Sequence, residues 1–104
     1  MTAIREIQFP SRIESVEDAA TAADEFAKNC GLSDECIYAI DLAIRESVAN
    51  AVKHGNKFDE SKPVAVTFAD SDDGFEITVR DYGTGFSVDE IADPTDPENL
   101  LKSN

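Results

Sequence analysis

Two short clusters carry side chains that folding alone does not require. In the first, Glu46 and Asn50 are four positions apart, with Lys53 and His54 just beyond. On a helix, residues i and i+4 are surface neighbours. A carboxylate and a carboxamide one turn apart suit a hard cation or the positioning of a phosphate. In the second cluster Asp81 is followed by Gly83 and Gly85. An inward carboxylate beside glycines can accept a hydrogen bond from the amino group of a flat heterocycle, because the glycines let a ligand approach the backbone. Simpler readings stay open from the residues alone. The first cluster can be a plain polar helix face with alanines for helix propensity. The second can be an Asx-turn at the end of a strand.

The elements that must position these clusters are legible as periodicities. Ile37, Ile40, Ile44, Val48 and Val52 step by three and four residues and form one apolar stripe. The spacing predicts a helix opened by Ser33, running to about His54 and stopping at Gly55-Asn56. With Ile37 set at about 0°, Glu46 falls near 180° and Asn50 near 220°, opposite the stripe. Ala39 and Ala43 share that polar face. An earlier helix is predicted from a Ser15 cap to about Asn29, with Val16, Ala19, Ala20, Ala23 and Phe26 at helical spacing and Gly31 as its breaker. Residues 3–9 alternate weakly and end at Pro10, as a short edge strand does. Val64, Val66 and Phe68, then Phe75, Ile77 and Val79, alternate on either side of a turn at Asp70–Gly74, which predicts a β-hairpin. Asp81 continues the inward parity of the second strand. Beyond it, two glycines, two prolines and several acids predict a loop with one helical turn at most.

The chain has 104 residues, the size of one domain, and a net charge of −13. That acidity argues against nucleic acid as a partner and against anionic membranes. No apolar run is long enough to span a bilayer, and the N-terminus lacks the apolar stretch of a secretory signal, which predicts a cytoplasmic protein. The window from Arg45 to Lys62 departs from the rest, with four basic residues against three acidic ones. A locally basic stretch in an acidic chain suits a small anion, although lysines at a helix C-terminus also follow from the macrodipole. Cys30 and Cys36 lack metal-site spacing and are read as reduced thiols.

Taken in order, these residues resemble the ATP-binding fold shared by DNA gyrase, heat-shock chaperones, histidine kinases and mismatch-repair ATPases. Glu46 to Asn50, with Lys53-His54-Gly55-Asn56 after it, is similar to the family's N box. Asp81-Tyr82-Gly83-Thr84-Gly85-Phe86 is similar to its first glycine box. Within that group the chain most resembles the small bacterial anti-sigma-factor serine kinases, through Phe9-Pro10-Ser11, the stretch Ala43 to Gly55, and the tail from Asp93-Pro94 to Asn104.

The resemblance implies an α+β sandwich, with helices on one face of a mixed, mainly antiparallel sheet. One domain would cover 1–104, cut short before a second glycine box, with 87–104 as a flexible lid segment. It implies ATP and Mg²⁺ as cofactors. Asn50 would coordinate Mg²⁺, Glu46 would act as general base or orient the substrate hydroxyl, and Asp81 would bind the adenine amino group. Gly83 and Gly85 would let the loop pass over the base, and Lys53 and His54 would lie near the phosphates. The implied reaction is phosphorylation of a serine on an anti-anti-sigma partner of the STAS type, with a sigma factor as the alternative partner. A homodimer is compatible with it. The first helix offers only Lys28 as a basic residue, where relatives that grip a sigma factor use an arginine. Two other classes compete: a nucleotide-dependent partner-binding module without catalysis, and a catalytic piece of a histidine kinase. The second lacks a preceding helix pair with a phosphorylatable histidine.

Overall fold

The structure is a computed structural model that describes residues 3–72 and 74–82, together with strands at 88–92 and 102–103. The chain runs β1 (Ala3–Phe9), α1 (Glu14–Asn29), α2 (Asp34–Asn50), a π-helical turn (Ala51–Gly55), β2 (Val64–Ser71), β3 (Gly74–Arg80), β4 (Val88–Ala92) and β5 (Lys102–Ser103). The five strands form one sheet in the order β1-β2-β3-β4-β5, and each neighbouring pair is antiparallel. The architecture is α+β, with the two helices packed on the sheet.

Register explains why one sheet face is apolar. Val66 pairs with Val79 and Phe68 with Ile77, and directly opposed residues point to the same side. All four are buried, as are Val64 and Phe75. The stripe supplies Ile40, Ile44 and Val48 from α2 and Val52 from the π-helical turn, each fully buried in the core. The small residues Ala19, Ala20, Ala23 and Ala27 of α1 allow close approach of the first helix. Phe26 reaches from α1 to the sheet, with its ring centroid 5.4 Å from Phe68 and 5.7 Å from Phe75, the spacing of favourable aromatic pairs.

The helix ends are set by local chemistry. Ser33 caps α2 as predicted, its Oγ accepting from the Cys36 N–H at 3.2 Å. The last turn of α1 closes with Gly31 at φ +78°, where a residue without Cβ is favoured. Gly31 N–H donates to Lys28 and Leu32 N–H to Ala27, the paired bonds of a Schellman ending.

Ser15 is a correction. Helix α1 starts two residues earlier, with Ile13 at the cap position and no side-chain cap. Ser15 lies buried in the first turn, and its Oγ donates to the Pro10 carbonyl at 2.6 Å. The hydroxyl joins the helix to the strand exit instead of closing the helix.

The region after Asp81 is a second correction, since the sequence predicted loop and at most a helical turn there. Residues 88–92 instead form β4 on the free edge of β3, with Ile77 opposite Ile91 and Arg80 opposite Val88. Backbone pairing defines this strand: an uncovered β3 edge would leave a row of donors and acceptors unpaired. The hairpin is also tighter than predicted, because Asp70 and Ser71 belong to β2 and Ser71 pairs with Gly74.

Truncating Ile44 tests whether the stripe of α2 anchors the helix that carries the first cluster. Ile44→Ala removes a fully buried side chain and should lower unfolding free energy by about 2–5 kcal/mol. Urea denaturation followed by circular dichroism measures this.

Candidate functional site

Because α2 spends its apolar stripe on the sheet, its other side is open. Glu46 and Asn50 are both exposed on it, one turn apart, as the periodicity predicted. Of the two alanines predicted for that face, Ala39 is half-buried, whereas Ala43 packs against the hydrophobic core. Asn50 is the last α-helical residue, and the π-helical turn begins directly after it. Single π turns within helices recur at functional sites. Here the wider turn carries exposed Lys53 and His54 and ends on Gly55.

The second cluster meets the first at that glycine. Asp81 is 5% exposed at the end of β3, on the inward side that strand parity predicted. A Cβ placed on Gly55 would lie 2.3 Å from the Asp81 Cγ and Oδ2. Only a hydrogen at this position lets the helix end press on the carboxyl group. Asp81 is thus held directly under the turn that follows Asn50. Gly83 and Gly85 lie outside the described residues.

A further residue, Asn56, organises the junction; the sequence marked it as a helix stop and as the last residue of the N-box resemblance, without a role of its own. Its side chain is 2% exposed. The amide NH₂ donates to Ser11 Oγ at 2.8 Å, to the Lys62 carbonyl at 3.0 Å and to the Pro63 carbonyl at 3.1 Å. Its Oδ1 accepts from the Tyr82 N–H at 2.8 Å. One side chain therefore joins the end of the helix, the exit of β1, the entry to β2 and the residue after Asp81. No periodic signal marks such a residue, since its partners lie from six to 45 positions away.

The backbone is strained to bring those partners in. Lys57 and Phe58 have φ of +52° and +60°, a region that costs roughly 1–2 kcal/mol per residue outside glycine. The Phe58 N–H donates to the Val52 carbonyl at 2.8 Å, which holds the reversal. A depression of about 470 Å³ lies beside this turn, lined by Ser11, Arg12, Ile13, Glu14, Phe58 and Glu60. It contains none of the predicted site residues, and an Arg12–Glu60 ion pair of 2.6 Å crosses its lining.

Arg45, next to Glu46, ties the site helix to α1. Its Nε donates to Asp41 one turn earlier and its NH1 to Glu17 of α1, each at 2.5 Å. The hydrogen bond from Arg45, and then its charge, lower the carboxyl pKa of Glu17. Cys30 and Cys36 are free thiols. Burial, then the neighbouring Asp70, push the Cys30 thiol pKa up, away from reactivity.

The fold and this junction place the chain in a class. Residues 9–104 match the model of the histidine kinase-like ATPase domain family, and the chain belongs to that family. Among curated proteins it is similar to "Serine-protein kinase RsbW" of Listeria monocytogenes, 30% identical over 83 residues that cover 80% of this chain and 53% of the relative. The protein of the same name from Oceanobacillus iheyensis is 30% identical over 92 residues, covering 88% of this chain and 58% of the relative. "Anti-sigma F factor" of Clostridium perfringens is 30% identical over 89 residues, covering 85% and 64%. The chain spans a little over half the length of the curated relatives it matches. Among the described residues, no helix is long and apolar enough to cross a membrane.

Replacing Asn56 tests its role at the junction. Asn56→Ala removes the partner of the Tyr82 N–H and of the Pro63 carbonyl, whereas the Lys62 carbonyl keeps the Ser11 hydroxyl as a donor. It should cost roughly 1–3 kcal/mol of stability, the range for a buried group left unsatisfied. A loss below about 0.5 kcal/mol in urea denaturation, the level of an ordinary surface change, would show the contacts to be incidental.

Proposed function

We propose that this protein is an ATP-dependent serine-protein kinase of the anti-sigma-factor type, acting on a serine of an anti-anti-sigma partner. The observation that carries this reading is the contact of Asp81 with Gly55, at the end of the turn that follows the exposed Glu46 and Asn50. The family match and the names of the relatives support the same reading.

The residues fit ATP and Mg²⁺ as a donor set. Asp81 is an acceptor held inward at a strand end beside a glycine, as recognition of an adenine amino group requires. Asn50 offers an amide oxygen, a hard ligand suited to Mg²⁺. Lys53 and His54, exposed on the turn after Asn50, lie on the side where phosphates would be neutralised. Gly83 and Gly85 belong to the same reading as the loop over the base. When bound, ATP supplies the phosphoryl group, and Mg²⁺ offsets its charge.

The task left to the chain is positioning and proton handling. Glu46 is exposed one turn before Asn50, where a partner's hydroxyl can reach it. A carboxylate there does not help hold a polyanion, since like charges repel. It is better suited to take the proton of an attacking serine hydroxyl as general base. The buried Asp81, pinned from both sides, fixes one end of the ligand. The exposed pair on α2 acts at the other end. The partner in this reading is a STAS-type anti-anti-sigma protein in the cytoplasm, with a sigma factor as the alternative state.

Glu46→Gln separates catalysis from binding. ATP affinity by calorimetry should be kept or slightly improved, while phosphate transfer to a candidate partner slows by ~10²-fold or more. A parallel loss of binding and transfer would make Glu46 structural. ATP binding by the unmutated protein without transfer to any candidate partner would favour a nucleotide-dependent binding module.

A further inference from the structure

Helix α2 carries a second feature that packing does not use. Tyr38 and Leu42 are 68% and 52% exposed. They are neighbours one turn apart on a helix whose apolar stripe is already spent on the core. The other exposed large apolar side chains, Ile4, Ile13, Phe58 and Tyr82, are not helical neighbours of one another. Single exposed apolar residues are ordinary. A contiguous pair leading into a site is what a partner's surface can use.

The pair is continuous with the exposed residues of the site. Tyr38, Leu42, Glu46 and Asn50 follow at four-residue intervals and are all exposed. They form one ridge that turns by about 40° at each step. Along the helix axis Leu42 lies about 6 Å from Glu46, and Tyr38 about 12 Å. The ends of this ridge differ in charge. Asp34 and Glu35 are exposed in the first turn of α2. Arg45, the one cation of α2, is already paired with Asp41 and Glu17. Lys53 and His54 lie beyond Asn50, at the opposite end.

Resting on the reading of Glu46 as general base, we propose that Tyr38 and Leu42 dock an extended segment of the partner that carries the phosphoacceptor serine. In that segment apolar side chains stand two and four residues from the serine, and a basic side chain stands two residues further. The spacing follows from matching two repeats. An extended chain rises about 3.3 Å per residue and presents every second side chain to the same side. With the serine at Glu46, two residues span about 7 Å and reach Leu42, and four span about 13 Å and reach Tyr38. Six span about 20 Å, the level of Asp34, which lies about 18 Å from Glu46 along the helix. Burial of the phenol ring and the leucine supplies affinity. The acidic end fixes direction, because a basic side chain is attracted to Asp34 and Glu35 and so leaves the serine at Glu46.

Two synthetic peptides test this, with leucine at the second and fourth positions from a serine and lysine at the sixth, one in each chain direction. Added without nucleotide to the ¹⁵N-labelled protein, one of them should shift the amides of Tyr38, Leu42 and Glu46. Tyr38→Gln/Leu42→Gln keeps good helix formers on an exposed face and should weaken that binding by about tenfold or more, the effect of losing anchor residues. ATP affinity should be unchanged. Replacing the peptide's lysine with glutamate should weaken binding as well. No binding by either peptide, or shifts that avoid Tyr38 and Leu42 in the unmutated protein, would overturn the docking surface. With Mg²⁺-ATP present, phosphate transfer to the serine at equal KM in the unmutated protein and the double variant would also overturn it, while leaving the kinase reading intact. Binding at Tyr38 and Leu42 without any transfer would support the surface and count against the kinase reading.

Discussion

The side-chain amide of Asn56 is the interaction on which the site's geometry depends. Fully enclosed, it donates to the exit of β1 and the entry to β2, and accepts from the residue after Asp81. A buried carboxamide is costly unless its donors and acceptor are met, and here both ends are used. The same side chain thus fixes the position of the helix end relative to the end of β3. Gly55, one residue earlier, permits the contact that results, because the Asp81 carboxyl occupies the space a side chain would fill. Strain at Lys57 and Phe58 is tolerated because the chain must reverse at once to bring the Lys62 and Pro63 carbonyls to the amide.

Helix α2 serves two purposes through its two faces. Its apolar stripe secures it to the sheet and to α1, and Arg45 adds a polar tie to α1. The opposite face is then free to hold Glu46 and Asn50 in fixed relative orientation, on a rigid element instead of a loop. The π-helical turn ends this helix at the point where the two clusters must meet. In this arrangement the buried carboxylate is held by the fold, whereas the exposed pair remains available to a ligand and a partner.

Much of this was readable from residue spacing. The α2 stripe, the Ser33 cap, the Gly31 ending and the inward parity of Asp81 all follow from local rules, and the structure agrees with each. What local rules miss has a common cause. Ser15 resembles a cap, but its hydroxyl is taken by the Pro10 carbonyl, a contact set by how the strand enters the helix. The strand at 88–92 has no clean alternation and exists through pairing with β3, whose partner edge lies outside any short window. Asn56 bonds to segments distant in sequence, so neither propensity nor period reveals it. Gly55 looks like an ordinary helix breaker until Asp81 is placed against it.

The central claim is that the junction of Asn50, Gly55 and Asp81 is where a nucleotide binds. Titration of Mg²⁺-ATP into the ¹⁵N-labelled protein, followed by amide NMR, tests it most directly. The account predicts the largest shifts at the backbone amides of Gly55, Asn56, Asp81 and Tyr82 and at the side-chain amide of Asn50. Shifts confined to the depression beside Ile13 and Phe58, with the junction unmoved, would contradict it.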